Sequence, residues 1–347
     1  MSQAESLAQK MAFLQKALSP WRELIIAVNH VSEEQTLGYR DKVTLAARYN
    51  EGWTAGMMRR DELIPIPNCP IHSARVNQTL ALLLPLLPPD HHFPMVFWVQ
   101  SGGQLVLVLK GRPMPPMAWF TNDVAQQLKL LGIDGFWLHF HPSAGKRIFG
   151  KGGWHLAWGK PRSLSPDGLW YGPAAFQQLI PALYGQSLDE AAGFLKPTTR
   201  SLVVDLYCGV GGSLKRWRET GATAVGVEVS GDAVELAPVN APGAQVLRGS
   251  CHQRIPQLTS EAAPFDKSHR LLYANPPRTG LEPDVTSWIA EDYRPARIAY
   301  MSCSAGTLHR DLLLLEAGGY RVKQLIPFDF FPLTLHVECV ALVERVE

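Results

Sequence analysis

The sequence predicts an α/β protein whose C-terminal part is built on an open, mostly parallel sheet. Three observations lead to this fold class. From about residue 165, strand-like apolar segments alternate with helical ones, as in βα units joined by crossover helices. A glycine-rich turn follows the first of these strands, and a proline-containing turn follows a later one. The last two apolar stretches have no helix between them and should pair as an antiparallel hairpin at one sheet edge.

The elements of this part are predicted in order from length, apolar content and spacing. The predicted strands are 202–206, 224–229, 271–274, 297–302, 320–327 and 336–344. A helix should follow the glycine turn, and further helices are predicted near 174–192, 282–292 and 306–317. We place the boundary of this domain at residue 166, so that it covers 166–347.

Residues 1–165 are predicted to form a smaller α+β domain that precedes the parallel sheet. Its predicted helices are 4–18, 70–88 and 121–132. Its predicted strands are 38–47, 53–60, 95–100, 105–110 and 136–141, with a hairpin turn at 101–103. Residues 142–173 are rich in Gly, Pro and Trp and are expected to form an irregular hairpin and linker.

Composition limits the classes of function. The 347 residues exceed one ordinary core, and 46% hydrophobic with 18% charged residues indicates a folded protein. A net charge of +2 excludes a strong overall attraction to polyanions. Residues 1–200 carry 19 Lys and Arg against 14 Asp and Glu, so any basic face is expected there. Lys146, Arg147 and Lys151 could contact phosphates, or they could form a solvated basic loop.

The five cysteines are few and scattered, with no close ligand spacing. This pattern argues against a disulfide scaffold and against a self-contained zinc site. The N-terminus does not read as a secretory signal, and no apolar run is long enough to span a membrane. We therefore expect a cytoplasmic protein with no membrane partner. The sequence predicts no oligomeric state.

A candidate cofactor site lies at the turn after strand 202–206. Asp205 is followed by Gly209 and Gly211, and such glycines let the backbone approach a ligand closely. Glu228 closes the next strand, where an acid can accept hydrogen bonds from ribose hydroxyls. Leu214 stands where a dinucleotide fingerprint needs its third glycine, which favours S-adenosylmethionine over NAD. The alternative is a tight βα turn without a ligand.

A second candidate segment is Asn275-Pro-Pro-Arg278, which follows the strand at 271–274. The prolines rigidly present a side-chain amide and carbonyl groups at the carboxyl edge of the sheet, where open α/β folds bind ligands. Amino-group methyltransferases usually have an aromatic residue after the prolines, and Arg278 disfavours that class. The alternative is a simple proline turn between strand and helix.

Two further residues have the chemistry of a nucleophile and a base. Cys303 follows the strand at 297–302 and precedes a helix, a position that can lower a thiol pKa. Its alternative is a small buried core residue. Glu338 is a carboxylate within an otherwise apolar strand and so needs a partner or a function. Its alternative is an acid at a strand edge that faces water.

Taken together, these segments resemble the RNA uracil-C5 methyltransferase family. The resemblance covers 205–212, 275–280, 302–311 and 328–338, in that order, and a weaker likeness extends to 39–42 and 69–71. It implies a class I S-adenosylmethionine-dependent methyltransferase domain of Rossmann-like fold. The Asn-Pro-Pro-Arg form looks closest to the bacterial 23S rRNA uridine methyltransferases, which implies an RNA partner, with rRNA favoured.

The resemblance also assigns roles to the candidate residues. It makes Cys303 the nucleophile that adds to C6 of uracil, and Glu338 the base that removes the C5 proton. Asn275 would line the cofactor and uracil pocket, and Arg278 would help to hold the pyrimidine or the motif. The residues predicted around S-adenosylmethionine are Gln178, Asp205, Tyr207, Gly209, Gly211, Glu228 and Asn275.

The chain also departs from the family pattern. Many relatives hold an iron–sulfur cluster on four cysteines, but only Cys69 matches a ligand position, so we expect no cluster. Ser250 or Cys251 replaces the acid expected after the third strand, Ser304 replaces the Asn after the cysteine, and Ile180 replaces an Asn after Gln178. These losses leave two alternatives open: a non-catalytic RNA-binding or assembly protein derived from such an enzyme, and a methyltransferase with another substrate.

Overall fold

The structure is a computed structural model that describes residues 1–145 and 147–346, and it divides the chain into two compact units. Unit 1 consists of Met1–Thr36 and Ile180–Glu347, and unit 2 consists of Leu37–Leu179. The division differs from the predicted boundary between 165 and 166. The smaller unit is inserted within the first rather than placed before it.

The reason for this difference lies in the packing of the N-terminal segment. Helix α1 (Gln3–Ala17) starts with a capping box formed by Ser2 and Glu5. Its Leu14 is buried in the same core as the strands of unit 1. Lys10 of α1 forms a fully buried ion pair with Asp329, 319 residues further along the chain. Such a long-range contact leaves no trace in local sequence spacing.

Unit 2 is built on a seven-stranded sheet with the order β3-β2-β1-β4-β5-β6-β7. Neighbouring strands are antiparallel except β5 and β6, which are parallel. The strands are β1 (Lys42–Tyr49), β2 (Trp53–Arg59), β3 (Glu62–Pro65), β4 (Met95–Ser101), β5 (Gln104–Leu109), β6 (Gly135–Phe140) and β7 (Trp154–Gly159), and the helices are α2 (Ala74–Leu83) and α3 (Asn122–Leu130). A short hairpin follows, of β8 (Ser163–Leu164) and β9 (Trp170–Tyr171).

The predicted hairpin of β4 and β5 is confirmed. Helix α2 is shorter than predicted because Ser73 caps its start and a separate 3₁₀ turn that contains Pro85 follows it. The segment predicted to be irregular contains β7, which completes the sheet by pairing with β6. Lys146 lies outside the described residues, while Arg147 and Lys151 are exposed.

Unit 1 is built on a second seven-stranded sheet with the order β12-β11-β10-β13-β14-β16-β15. Its strands are β10 (Leu202–Leu206), β11 (Thr223–Glu228), β12 (Gln245–Arg248), β13 (Arg270–Ala274), β14 (Arg297–Ser302), β15 (Tyr320–Phe328) and β16 (Glu338–Arg345). Its remaining helices are α4 (Pro181–Leu195), α5 (Gly212–Glu219), α6 (Gly231–Asn240), α7 (Cys251–Ala262), α8 (Pro283–Trp288) and α9 (Ala305–Ala317).

The predicted α/β fold with a Rossmann-like sheet is confirmed. Strands β10 to β14 are parallel, and β15 and β16 form the predicted antiparallel hairpin. Helix α4 starts later than predicted, with Pro181 in its first turn after the extended Ile180. Strand β12 was not predicted because four residues are too few to show a pattern.

This topology determines where a ligand can bind. From β10 the chain goes to β11 on one side and later returns to β13 on the other, so the strand order reverses beside β10. Open α/β sheets bind ligands at the carboxyl ends of the strands beside such a reversal. Strand β16 runs antiparallel to β14, so the start of β16 lies at this same edge.

Candidate active site

The glycine turn after β10 and the end of β11 are joined through Glu228. The backbone N–H of Gly209 donates to Oε2 of Glu228 at 3.0 Å. Oε1 accepts from the backbone N–H groups of Val229 at 2.8 Å and Ser230 at 2.7 Å. A Cβ added to Gly209, which has a φ of +55°, would meet no atom within 4 Å. The turn therefore places a fixed, half-buried carboxylate beside an open backbone surface.

Gly211 is required for a different reason. Its φ is +91°, and an added Cβ would lie 2.9 Å from the backbone oxygen of Ala237 in α6. Glycine thus allows α5 to start in close contact with α6. The contribution of Gly211 to the site is this close packing, whereas Gly209 leaves room for a ligand.

Asp205 is fully buried near the end of β10. Its Oδ2 accepts a hydrogen bond from the Trp217 indole at 2.7 Å. Its Oδ1 has no hydrogen-bond partner in the part of the chain that the structure describes. Burial raises the pKa of Asp205 to about 7, although the Ser213 hydroxyl and the Trp217 indole act in the opposite direction. An unsatisfied carboxylate oxygen here can accept a hydrogen bond from a cationic ligand group.

Tyr207 and Glu282 meet at the start of α7. Tyr207 has a φ of +62°, and its hydroxyl donates to Oε2 of Glu282 at 3.4 Å. The same oxygen accepts from the backbone N–H of His252 at 3.2 Å. Ser250 and Cys251 lie at the start of α7, where the resemblance leads one to expect an acidic residue. Glu282 brings a carboxylate to this place from the loop after β13.

Asn275 and the loop that follows it are attached to strand β10 and to helix α9. The backbone N–H of Asn275 donates to the oxygen of Leu206 in β10 at 3.2 Å, and its side chain is half-buried. The loop that follows is held against α9. Arg310 donates to the backbone oxygens of Thr279 at 3.0 Å and Leu281 at 3.1 Å.

Asp311 completes the support of this loop. It is fully buried, and its Oδ2 accepts from the Tyr300 hydroxyl at 2.7 Å and from the N–H of Leu281 at 2.9 Å. Its Oδ1 accepts from Arg310 at 2.8 Å. One carboxylate therefore ties β14, α9 and the loop of Arg278 together. The role of Asp311 was not predicted, although an Asp among leucines in the helix after Cys303 is a signal that the sequence contains.

Cys303, Glu338 and Arg278 come together at the ends of β14 and β16. Ser302 pairs with Cys339, so Cys303 and Glu338 are the next residues along the two strands. Burial raises the pKa of the half-buried Cys303 thiol, and the charge of the buried Glu338 raises it further. The Arg278 guanidinium is close enough to lower this pKa by its charge and by hydrogen bonding. Three residues predicted from separate motifs thus share one site.

Gln178 and Cys69 are candidate residues that lie outside unit 1. Gln178 belongs to unit 2, so its predicted contact with the cofactor stays a prediction. Within residues 1–145 and 147–346, no three His, Cys, Asp or Glu side chains are grouped to hold a metal ion. The expected lack of an iron–sulfur cluster stays a prediction, and Cys69 is a half-buried free thiol. No helix of the described chain has the length and apolar content to cross a membrane.

Known proteins are similar to this chain in the segment that carries the cysteine side of the site. The family model of tRNA (uracil-5-)-methyltransferase matches residues 265–346, which contain Asn275, Arg278, Cys303 and Glu338. An uncharacterized RNA methyltransferase from Thermosynechococcus vestitus is 29% identical over 88% of this chain and 71% of its own length. One from Bacillus cereus is 34% identical over 50% of this chain and 38% of its own length.

Residues 265–346 of the chain are therefore similar to the RNA uracil-C5 methyltransferase family. The fold of the chain also agrees with a solved structure, Pyrococcus abyssi tRNA (uracil-54, C5)-methyltransferase in complex with S-adenosyl-L-homocysteine. The TM-score is 0.72 at 20% identity, over 99% of this chain and 84% of that one. The resemblance noted in the sequence is thereby confirmed at the level of the RNA uracil-C5 methyltransferase family. These comparisons do not distinguish its rRNA branch.

Proposed function

We propose that this protein is an S-adenosylmethionine-dependent RNA uracil-C5 methyltransferase. The observation that carries the proposal is the meeting of Cys303, Glu338 and Arg278 at the sheet edge where the glycine turn also ends. A thiol, a carboxylate and a cofactor turn on one edge are the parts that this reaction needs.

The chemistry explains why each part is required. C5 of uracil is a weak nucleophile. Addition of the Cys303 thiolate to C6 makes C5 an enolate-like, nucleophilic carbon. That carbon would then form a bond to the methyl group of bound S-adenosylmethionine. The S–CH3 bond would break, and its electron pair would stay on the sulfur of S-adenosylhomocysteine as the leaving group. Glu338 removes the C5 proton, the electrons of the broken C–H bond restore the double bond, and the C6–S bond breaks to release the thiolate.

Arg278 has a role in preparing the nucleophile. Burial and Glu338 both raise the pKa of Cys303, so the thiol form is favoured in the free protein. The positive charge of Arg278 acts in the opposite direction and favours the thiolate. The exposed guanidinium can also contact the pyrimidine once the base enters the site. To reach Cys303, the target base must leave its stack in the RNA.

Several residues of the turn fit S-adenosylmethionine. The buried Oδ1 of Asp205 lacks a hydrogen-bond partner among the described residues and suits the amino group of the methionine part. Glu228 is held by three backbone N–H groups beside the open surface of Gly209, where ribose hydroxyls can donate to it. Tyr207 and Asn275 directly follow the two central strands β10 and β13, and they complete the proposed cofactor contacts within unit 1.

The proposal extends to rRNA as the substrate and to the cytoplasm as the location. The Asn-Pro-Pro-Arg form supports rRNA, whereas the matching family model is named for tRNA, so both RNA classes belong in the test. Arg147 and Lys151, exposed in unit 2, are the proposed phosphate contacts from the described part of the mildly basic region.

A trapping experiment tests the proposal. The full chain would be mixed with S-adenosylmethionine and with rRNA or tRNA that contains 5-fluorouridine. Because fluorine cannot leave C5 as a proton does, the C6–S bond should persist as a covalent adduct on a denaturing gel. The adduct should disappear in Cys303→Ala and persist in Cys69→Ala, the control for another half-buried thiol. RNA binding without any adduct would instead support the non-catalytic alternative.

A further inference from the structure

Glu282 is a conspicuous carboxylate that the proposed reaction does not use. It is the N-cap residue of α8, but its side chain makes no capping hydrogen bond to that helix. Its Oε2 instead accepts from the backbone N–H of His252, at the start of α7, and from the Tyr207 hydroxyl, directly after β10. The side chain is thus committed to the carboxyl edge of the sheet.

Only one of the two carboxylate oxygens is occupied in this way. Oε1 of Glu282 has no hydrogen-bond partner among the described residues, and the side chain is half-buried. Two donors therefore fix the orientation of the carboxylate while its second oxygen stays available as an acceptor. Such a preorganised acceptor is suited to bind a donor on a ligand.

Its position relative to Glu228 indicates which part of a ligand it would meet. Glu228 ends β11 and is the proposed ribose contact, and the next strand outward is β12, which leads directly into α7. The start of α7 is therefore the next element along this edge, and a base attached to that ribose can extend toward it. In this chain the residues there are Ser250 and Cys251, and neither supplies a charged acceptor.

We propose that Glu282 selects the adenine base of the cofactor, its Oε1 accepting a hydrogen bond from the exocyclic amino group. This inference rests on the proposed use of S-adenosylmethionine. Glu282 would thereby replace the missing acid of this site from the loop that follows β13. A base with a carbonyl oxygen in place of the amino group would be rejected, because two acceptors would face each other.

The test compares two ligands that differ only in this group. Binding of S-adenosylhomocysteine and of S-inosylhomocysteine would be measured by titration calorimetry. The unmodified protein should bind the adenine compound at least about tenfold more tightly. In Glu282→Gln this preference should fall by about tenfold or reverse, because the amide can donate to the carbonyl of the inosine compound.

Asp284→Asn is the matched control. Asp284 lies two residues further on, is 74% exposed, and contacts His252 only through the imidazole Nδ1 at 3.5 Å. This variant loses the same charge at the same helix start and should keep the adenine preference. Equal weakening of both ligands in Glu282→Gln would show that Glu282 only holds α7, which overturns the proposal.

The unmodified protein separates this proposal from the one on which it rests. If it binds both ligands equally, the assignment of Glu282 is wrong and the cofactor assignment stands. If it binds neither, the cofactor assignment itself is wrong, and the role of Glu282 is rejected with it.

Discussion

Asp205 and Asp311 are both completely buried in unit 1, but their surroundings differ. Asp311 lies on the cysteine side of the sheet edge, and both of its oxygens accept hydrogen bonds, from Tyr300, Leu281 and Arg310. Asp205 lies on the glycine-turn side, where Oδ2 accepts from the Trp217 indole and Oδ1 has no hydrogen-bond partner among the described residues. The protein thus supplies donors to both oxygens of Asp311, but to only one oxygen of Asp205 among the described residues.

This difference separates a structural role from a binding role. A buried acceptor without a partner costs free energy, so a protein retains one where a ligand or a strained function needs it. Asp311 stabilises the arrangement of β14, α9 and the loop of Arg278 before any ligand arrives. Asp205 keeps an unsatisfied oxygen, and burial raises its pKa to about 7. The cysteine side is therefore assembled in advance, while the glycine-turn side keeps an acceptor that the proposed cofactor would use.

The largest expected effect comes from Asp311→Ala. The change would leave the Tyr300 hydroxyl, the Leu281 N–H and part of Arg310 without their acceptor. We expect the free energy of unfolding to fall by about 3 kcal/mol, measured by urea denaturation. Asp284→Ala, at an exposed carboxylate, should change it by less than about 0.5 kcal/mol. If Asp311→Ala and Asp284→Ala changed the stability equally, Asp311 would have no structural role, and its contrast with Asp205 would be wrong.

Asp205→Asn should instead raise the free energy of unfolding of the protein without ligand. The folded-state pKa is about 7 against a usual value of 3.8, so between these values the unfolded chain ionises while the folded one stays protonated. The stability of the unmodified protein should therefore decrease as the pH rises from about 4 to about 7.

The Asn variant lacks this titration and should be more stable by about 1 to 2 kcal/mol at pH 7, and about equal at pH 4. It should also bind S-adenosylhomocysteine more weakly. Denaturation at both pH values, with calorimetry for the ligand, measures these effects. A variant that is less stable at pH 7 would show that Oδ1 is satisfied by the protein after all.

The smallest expected effect concerns the reactivity of the Cys303 thiol. Glu338→Gln removes a charge that raises its pKa, and should increase its alkylation by iodoacetamide at pH 7.5 about threefold. Arg278→Gln removes a charge that lowers the pKa, and should decrease the rate by a similar factor. Peptide mass spectrometry would follow Cys303, with Cys69 as the internal reference. Rates that do not respond in opposite directions would argue against the proposed preparation of the thiol.

Much of unit 1 could be predicted because its strands are continuous apolar runs. The predicted bounds of β10 and β14 match the structure residue for residue, since strands buried on both faces show a clear local signal. The glycine turn and Glu228 were also predictable, because strand ends and turns have their own residue preferences. The boundary between the two units could not be predicted in this way, because the packing of α1 depends on the ion pair of Lys10 and Asp329, which are distant in sequence.

The sequence by itself determined the residue types of the site and their places after particular strands. The resemblance to the RNA uracil-C5 methyltransferase family rests on the segments 205–212, 275–280, 302–311 and 328–338 taken together. The tertiary structure decided which of these side chains meet. The register of β14 against β16 brings Cys303 beside Glu338, and the loop after β13 carries Glu282 to the start of α7. Local spacing encodes strands and turns, whereas register and loop placement follow from the packing of the whole sheet, which no single segment contains.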